Sequence, residues 1–307
     1  MGPVNRTAPP ATRGVAKCVA VGAAGPTVST VSDRALAAFL LPDGFAKPPV
    51  RSVLNEASVV TEAGRYALAS REARRARRAT PYTGRRVARS ADPVLLVPGF
   101  LAGDGTLAFM ARSLRQEGFR TYRSHIHANV GCTLNAAAQL ETRLESIAVR
   151  RGARVQVVGH SLGGMLARGL AVRRPDLISG IVTLGSPMLA PGAHHGILGL
   201  GVEMLVRLSR AGLPGLMSAD CVGGECARQS WDESRRPLPD DVAFTAIYSK
   251  RDGICDWRAC VDPAATAVEV TASHVGMAVD PRVIRHVVDA LRQTVAEETP
   301  APLASAG

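Results

Sequence analysis

The stretch Gly159-His160-Ser161-Leu162-Gly163 constrains the fold more than any other part of the chain. Ahead of it, Arg154-Val155-Gln156-Val157-Val158 is short, apolar and β-branched at alternate positions, which predicts a buried strand. Behind it, Gly164-Met165-Leu166-Ala167-Arg168-Gly169-Leu170-Ala171-Val172 predicts a helix. A serine between two glycines at such a strand-to-helix turn is a candidate nucleophile. The turn is tight enough that side chains at the flanking positions would clash, and glycine removes them. It also lifts the Ser161 hydroxyl above the sheet at a helix N-terminus. There, backbone N–H groups and the helix dipole favour negative charge developing on oxygen. The competing reading is an ordinary turn whose serine caps the helix.

A serine hydroxyl is a weak nucleophile, so it needs a base and the base needs an acid to orient it. The C-terminal third supplies candidates for both. Ala243-Phe244-Thr245-Ala246-Ile247-Tyr248 predicts a strand, and Ser249-Lys250-Arg251-Asp252-Gly253 follows as a turn. Asp252 therefore lies just past a strand end. Asp256 competes with it from four residues on, and Asp262, followed by Pro263, lies farther from the strand. Ala267-Val268-Glu269-Val270-Thr271 predicts a further strand leading into Ser273-His274-Val275-Gly276-Met277, so His274 is the candidate base. His194 and His195 fall in an insert and His286 inside the last helix. The strand Pro93-Val94-Leu95-Leu96-Val97 and its loop Pro98-Gly99-Phe100-Leu101-Ala102-Gly103 would supply one oxyanion-binding N–H, from Phe100 or else Leu101. Leu162, next after the serine, would supply the other.

These separated motifs resemble those of bacterial α/β-hydrolase lipases and esterases, over roughly residues 90–295. The chain is especially similar to actinobacterial members with a Pro-Gly-Phe loop and an Asp-Gly-x-x-x-Trp-Arg-Ala-Cys segment, here Asp252 to Cys260. Many lipases have His-Gly where this chain has Pro98-Gly99, a departure that leaves the backbone donor intact. The resemblance favours Asp252 as the acid. It implies a mostly parallel sheet with helices on both faces, a helical lid insert and ester hydrolysis through Ser161, His274 and Asp252. An acyltransferase or thioesterase would use the same three residues. The third alternative is a non-catalytic lipid-binding protein on the same scaffold. The expected substrate is a small-molecule ester or lipid, and the chemistry calls for no metal and no cofactor.

The expected organisation is a flexible segment over 1–30 and a helical arm with a basic linker over 31–90. The hydrolase body follows over 91–299, with an insert at about 187–242, and then a flexible tail over 300–307. A chain of 307 residues suffices for this as one body. Within the arm, 31–41 reads as a short helix. Residues 50–79 read as a longer one, with Val50, Val53, Leu54, Ala57 and Val60 on one face packing against the body. The net charge is +11, and Arg71, Arg74, Arg75, Arg77, Arg78, Arg85, Arg86 and Arg89 concentrate part of it. A solvated helix end explains these arginines, and contact with an anionic lipid surface or an acidic partner protein is the functional alternative. No aromatic residues interleave in the manner of a nucleic-acid site, so no nucleic acid is expected. No stretch is long and apolar enough to span a membrane. Arg13 and Lys17 precede an apolar run that is short and broken, so a cytoplasmic location is expected.

Between the expected sixth strand, Gly180-Ile181-Val182-Thr183-Leu184-Gly185, and the seventh, near Phe244, the chain is far longer than a plain crossover. Its segment 196–217 is apolar nearly all round. That predicts a helix that is buried or covers an apolar site, here an acyl-binding groove. Leu198 and Met204 from this lid, with Leu101 and His160 beside the oxyanion loop and the serine, are the candidate substrate contacts. Of the six cysteines, Cys221/Cys226 and Cys255/Cys260 share a C-x₄-C spacing, which is wider than the usual zinc-ribbon spacing. Free thiols are expected in a reducing compartment, and two local disulfides in an exported protein.

Overall fold

The computed structural model describes residues 38–79 and 93–298. The segment expected to be flexible over 1–30, the tail at 300–307, Cys18 and Arg85, Arg86 and Arg89 lie outside them. So do the Arg77 and Arg78 side chains and most of the helix expected over 31–41.

Six strands build the sheet: β1 (Pro93–Val97), β2 (Arg120–Arg123), β3 (Val155–His160), β4 (Ile178–Leu184), β5 (Ala243–Ser249) and β6 (Thr266–Val270). Their order is β2-β1-β3-β4-β5-β6 and every neighbouring pair is parallel. The strands expected as sixth and seventh are thus the fourth and fifth among the described residues. Among the described residues the named α-helices are α1 (Val59–Ala79), α2 (Ala108–Gln116), α3 (Thr133–Arg151), α4 (Leu162–Arg173), α5 (Gly196–Arg210), α6 (Ala219–Gly223), α7 (Glu225–Ser234) and α8 (Pro281–Glu298).

A parallel sheet needs cover on both faces, and the alternation along each strand provides two apolar surfaces. Val94, Leu96, Val158 and Val182 pack with Met110 and Leu114 of α2 and Val283, Val287 and Leu291 of α8. Leu95, Val97, Val157 and Ile181 pack on the other face with Leu140, Leu144 and Ile147 of α3 and Leu166 and Leu170 of α4. The chain leaves β1 for β2 on one side and returns to β3 on the other, so the strand order reverses between β1 and β3. In open α/β sheets, ligands bind in the crevice beyond the carboxyl ends of such strands. The loop after β1 and the turn after β3 both open there.

The insert folds as α5, α6 and α7. Of the residues in α5, Leu205 is the one buried, while Ile197, Leu200 and Met204 are more than half exposed. The helix therefore covers a cavity with one side and leaves the other to solvent. Asp104 and Thr133, each at the start of a helix, do not cap it with their side chains. The Asp104 carboxylate instead accepts from Ser124 N, Ser124 Oγ and His125 N, tying down the end of β2. The N-terminal flanking residue of α3 is Cys132, and Thr133 Oγ1 lies in the cavity wall.

The arm packs on the body, but not by the predicted apolar face. Residues Val50–Ser58 form a 3₁₀-helix, in which residues three apart eclipse. Val53, Glu56 and Val59 therefore face the body, whereas Leu54, Ala57 and Val60 point to solvent, Leu54 at 73% and Val60 at 74% exposure. Val50 is exposed too. In α1, buried Tyr66 joins the core, and Arg65 donates to buried Asp280 at 2.9 Å. Arg71, Arg74 and Arg75 are exposed on the same helix.

Helix α3 offers a contrast on one element. Leu144 is fully buried and Val149 is 85% exposed. Urea unfolding is expected to show a loss of about 2–5 kcal/mol for Leu144→Ala, from lost burial and a residual cavity. Val149→Ala should stay within about 0.5 kcal/mol of the parent.

Candidate active site

Ser161 sits at the turn from β3 to α4 with φ 52° and ψ −122°. This backbone region is sparsely populated by residues with a Cβ and persists only where the surroundings enforce it. A Cβ on Gly159 would approach the Gly163 carbonyl carbon to 2.5 Å, and one on Gly163 would collide with the Val97 carbonyl. Strands β1 and β3 and helix α4 thus meet backbone to backbone. The Ser161 N–H donates to Leu184 O at 2.8 Å, which fixes the turn against β4.

The loops after β5 and β6 bring Asp252 and His274 together. His274 Nδ1 lies 2.7 Å from Asp252 Oδ2, with both side chains buried. The other carboxylate oxygen, Oδ1, accepts from Ile254 N at 2.8 Å and Cys255 N at 2.7 Å. The competing aspartates are engaged elsewhere. Asp256 caps the 3₁₀ turn Trp257–Cys260, pairs with Arg258 and accepts from Ala46 N. Asp262 accepts from Arg168 Nε and from Ala264 N.

Burial works against a charged imidazole at His274, but the neighbouring Asp252 carboxylate outweighs it, with a further contribution from Glu56, and raises the pKa. His160, whose ring centroid is 4.9 Å from that of His274, goes the other way. Burial and the adjacent imidazole push it down to about 4. It is therefore neutral near pH 7, and its Nε2 donates to the His274 carbonyl at 2.9 Å. Cys255 Sγ lies within 4.8 Å of the Asp252 and His274 ligand atoms. Burial and the nearby carboxylate raise its pKa and hold it as a thiol.

On the oxyanion side, Leu162 begins α4, where backbone N–H groups lack intrahelical acceptors. The Leu101 N–H is occupied, donating to Asn129 O at 3.1 Å, whereas the Phe100 N–H meets no acceptor among the described residues. Asn129, almost wholly buried, also donates from its Nδ2 to Pro98 O at 3.0 Å and from its backbone N–H to Ala102 O at 2.9 Å. It holds the loop from three points, and nothing in its sequence context signals this.

Ser161, Leu162 and Phe100 border a cavity of about 190 Å³. Met165 from α4, Leu198 and Val202 from α5, Met217, and Trp231 from α7 make its walls largely apolar. Of the four side chains singled out for substrate contact, Leu198 lines the cavity. His160 is held behind it by the His274 carbonyl, Met204 is turned to solvent, and Leu101 packs near Gly201 of α5 outside the lining. Met217, the last residue of the apolar segment 196–217, also belongs to the wall, as does Trp231, which the sequence does not single out.

Cys132, Cys221, Cys255 and Cys260 are free thiols. Neither C-x₄-C pair closes on itself. Cys260 Sγ instead donates to Asp256 O, and Cys226 is disulfide-bonded but not to Cys221. The expectation of free thiols thus fails at Cys226.

Residues 94–305 match the model of the alpha/beta hydrolase family, and the chain belongs to that family. It is 34% identical over 100 residues to a triacylglycerol lipase of Vibrio cholerae serotype O1, an alignment covering 30% of this chain and 31% of that protein. The chain thus matches less than a third of the length of that curated relative. The structure is similar to that of the mature form of the Bacillus licheniformis lipase BlEst2, with a TM-score of 0.52 at 14% identity, covering 69% of this chain and 95% of the other. For the propeptide form of the same lipase the TM-score is 0.52 at 15% identity, covering 71% and 53%. At these identities the likeness is one of fold.

Labelling of Ser161 by a fluorophosphonate tests the assembly. Asp252→Asn is expected to slow it on the order of 10³- to 10⁴-fold, because His274 would lose its orienting partner. Asp256→Asn should change it less than about tenfold, since that carboxylate faces Arg258 instead. For His274 to act as a base it must be neutral, and its pKa is raised. The labelling rate should therefore fall as pH drops through a value above about 6.5.

Proposed function

We propose that the protein is a serine hydrolase of carboxylic esters, with Ser161 as nucleophile, His274 as base and Asp252 as the orienting acid. The observation that carries this reading is the buried 2.7 Å His274–Asp252 pair, taken with a strained serine that opens on an apolar cavity. His274 Nε2 takes the Ser161 proton as Oγ attacks the ester carbonyl. Asp252 keeps the Nδ1 proton in place and stabilises the imidazolium that forms. The N–H groups of Leu162 and Phe100 face the tetrahedral oxyanion. His274 then protonates the departing alkoxide, leaving an acyl-serine. Water, deprotonated by the same imidazole, attacks this ester, and collapse of the second tetrahedral species releases the acid and restores the serine.

The cavity argues for the acyl group as the part bound there. Its walls of Met165, Leu198, Val202, Met217 and Trp231 remove an alkyl chain from water, at roughly 0.8 kcal/mol for each methylene fully buried. Four of these five residues, all but Met165, belong to the insert, so the insert sets the chain-length preference. A p-nitrophenyl ester series from acetyl to palmitoyl, run with wild type and Ser161→Ala, checks the reading. We expect kcat/KM to rise from acetyl to medium or longer chains, and Ser161→Ala to lower it at least about 10³-fold. Trp231→Ala should flatten the chain-length dependence while leaving acetyl turnover within about threefold. Equal turnover by Ser161→Ala would exclude the serine as nucleophile.

A further inference from the structure

We propose that Glu56, on the arm N-terminal to the hydrolase body, is a positioning residue that fastens the loop carrying Asp252 to the loop carrying His274. The inference rests on the triad reading above and adds to it a residue outside the segment matched to the family, which begins at residue 94.

Glu56 Oε1 accepts from Gly253 N at 2.9 Å and from His274 N at 3.0 Å, and Oε2 accepts from Val275 N at 2.9 Å. One carboxylate thus gathers the residue after the acid, the base itself and the residue after the base. Hydrogen bonds to an ionised acceptor are about twice as strong as neutral ones, and three converging N–H groups are a demanding match for any other side chain. Two neighbours on the arm reinforce the contact. Ser52 Oγ donates to Gly253 O at 2.9 Å. Glu62, 1% exposed, accepts from Ser273 N at 2.9 Å and Ser273 Oγ at 2.7 Å. A Cβ on Gly253 would run into the Ser52 carbonyl, so the acid loop is shaped to receive the arm.

The arrangement acts on chemistry by two routes. It fixes the backbone on both sides of the His274–Asp252 pair, and misplacement of about 1 Å at such a pair costs on the order of 100-fold in rate. It also adds a second anion near the imidazole. The titratable groups facing that ring are Asp252 and Cys255 from the acid loop, His160 from the end of β3, and Glu56 from the arm. Glu62 stands behind, bonded to Ser273. With His160 neutral and Cys255 a thiol near pH 7, the two anions that favour the imidazolium at close range are Asp252 and Glu56.

The test uses the full chain with Glu56→Gln, which keeps the size of the side chain but loses its charge and turns an amide toward the N–H groups. Ser52→Ala is the control that loosens the arm without removing charge. In ester turnover we expect Glu56→Gln to lower kcat between about 10- and 100-fold with KM within about twofold. The acid limb of the pH profile should move to lower pH, because fewer anions hold the proton. Ser52→Ala should leave that limb in place. The His274 imidazole is also titrated by NMR in a Ser161→Ala background, assigned by loss of its signal in His274→Asn. There, Glu56→Gln should shift the titration to lower pH whether or not any ester is turned over. A chain with no esterase activity but with this NMR shift would fail the proposed function and keep the positioning role. An unmoved imidazole titration, or unchanged kcat and acid limb with lowered thermal stability, would reduce Glu56 to a structural peg. If Glu56→Gln does not fold, Glu56→Asp, which is too short to reach all the N–H groups, is read by the same titration.

Discussion

The backbone contact between β1, β3 and α4 is the constraint on which the site depends. Gly163 lies against the Val97 carbonyl with no room for a Cβ, and Gly159 faces the start of α4 in the same way. That closeness leaves Ser161 in a conformation it would not choose, with its N–H anchored to Leu184 O. The strain costs on the order of 1–3 kcal/mol and is borne by a sheet buried on both faces. In return the hydroxyl stands at the point where the strand order reverses, beside the first turn of α4 and the loop after β1. The remaining groups come from β5 and β6, the strands on the other side of β4, whose loops reach back over the same crevice.

Two adjacent histidines show how burial and charge divide the work. Both are buried, and burial alone would keep either neutral. His160 meets a backbone carbonyl and another imidazole and falls to about 4, so it serves as a fixed donor. His274 meets the Asp252 carboxylate and rises. What distinguishes a structural histidine from the proposed base here is one carboxylate at 2.7 Å. Carboxylates so placed are themselves costly to bury, and each is solvated by backbone N–H groups: Ile254 and Cys255 for Asp252, and Gly253, His274 and Val275 for Glu56.

Local pattern carried the strands, the elbow and the order of Ser161, Asp252 and His274 along the chain, because each is written in contiguous residues. The alternation in β3, the flanking glycines and the position of Asp252 just past a strand end are features of single segments. Asn129 was illegible because its partners, Pro98, Leu101 and Ala102, lie about thirty residues away, and a lone asparagine in a loop has no local signature. Where His160, Leu101 and Met204 sit relative to the cavity is not legible for a related reason. Nearness in sequence to the serine or to an apolar run does not say which way a side chain turns, and His160 and Met204 turn away from the cavity. Trp231 was missed because α7 reads as polar and charged along most of its length, with the ring on its buried side.

The arm shows how much a small change in helical geometry decides. An α-helix advances about 100° per residue and would gather Val50, Val53, Leu54, Ala57 and Val60 into one apolar stripe. A 3₁₀-helix has three residues per turn, about 120° each, and instead aligns Val53, Glu56 and Val59. The second register sends Leu54 and Val60 into solvent, an unfavourable exchange if apolar burial were all that mattered. What it gains is a carboxylate aimed at three N–H groups behind the His274–Asp252 pair. Without the arm, those groups would turn to water for partners, since buried backbone donors do not go unmet. Water there would loosen the loops and screen the imidazole. The arm replaces that water with a fixed acceptor, so its contribution lies in what it keeps ordered at the back of the site rather than in the apolar area it covers.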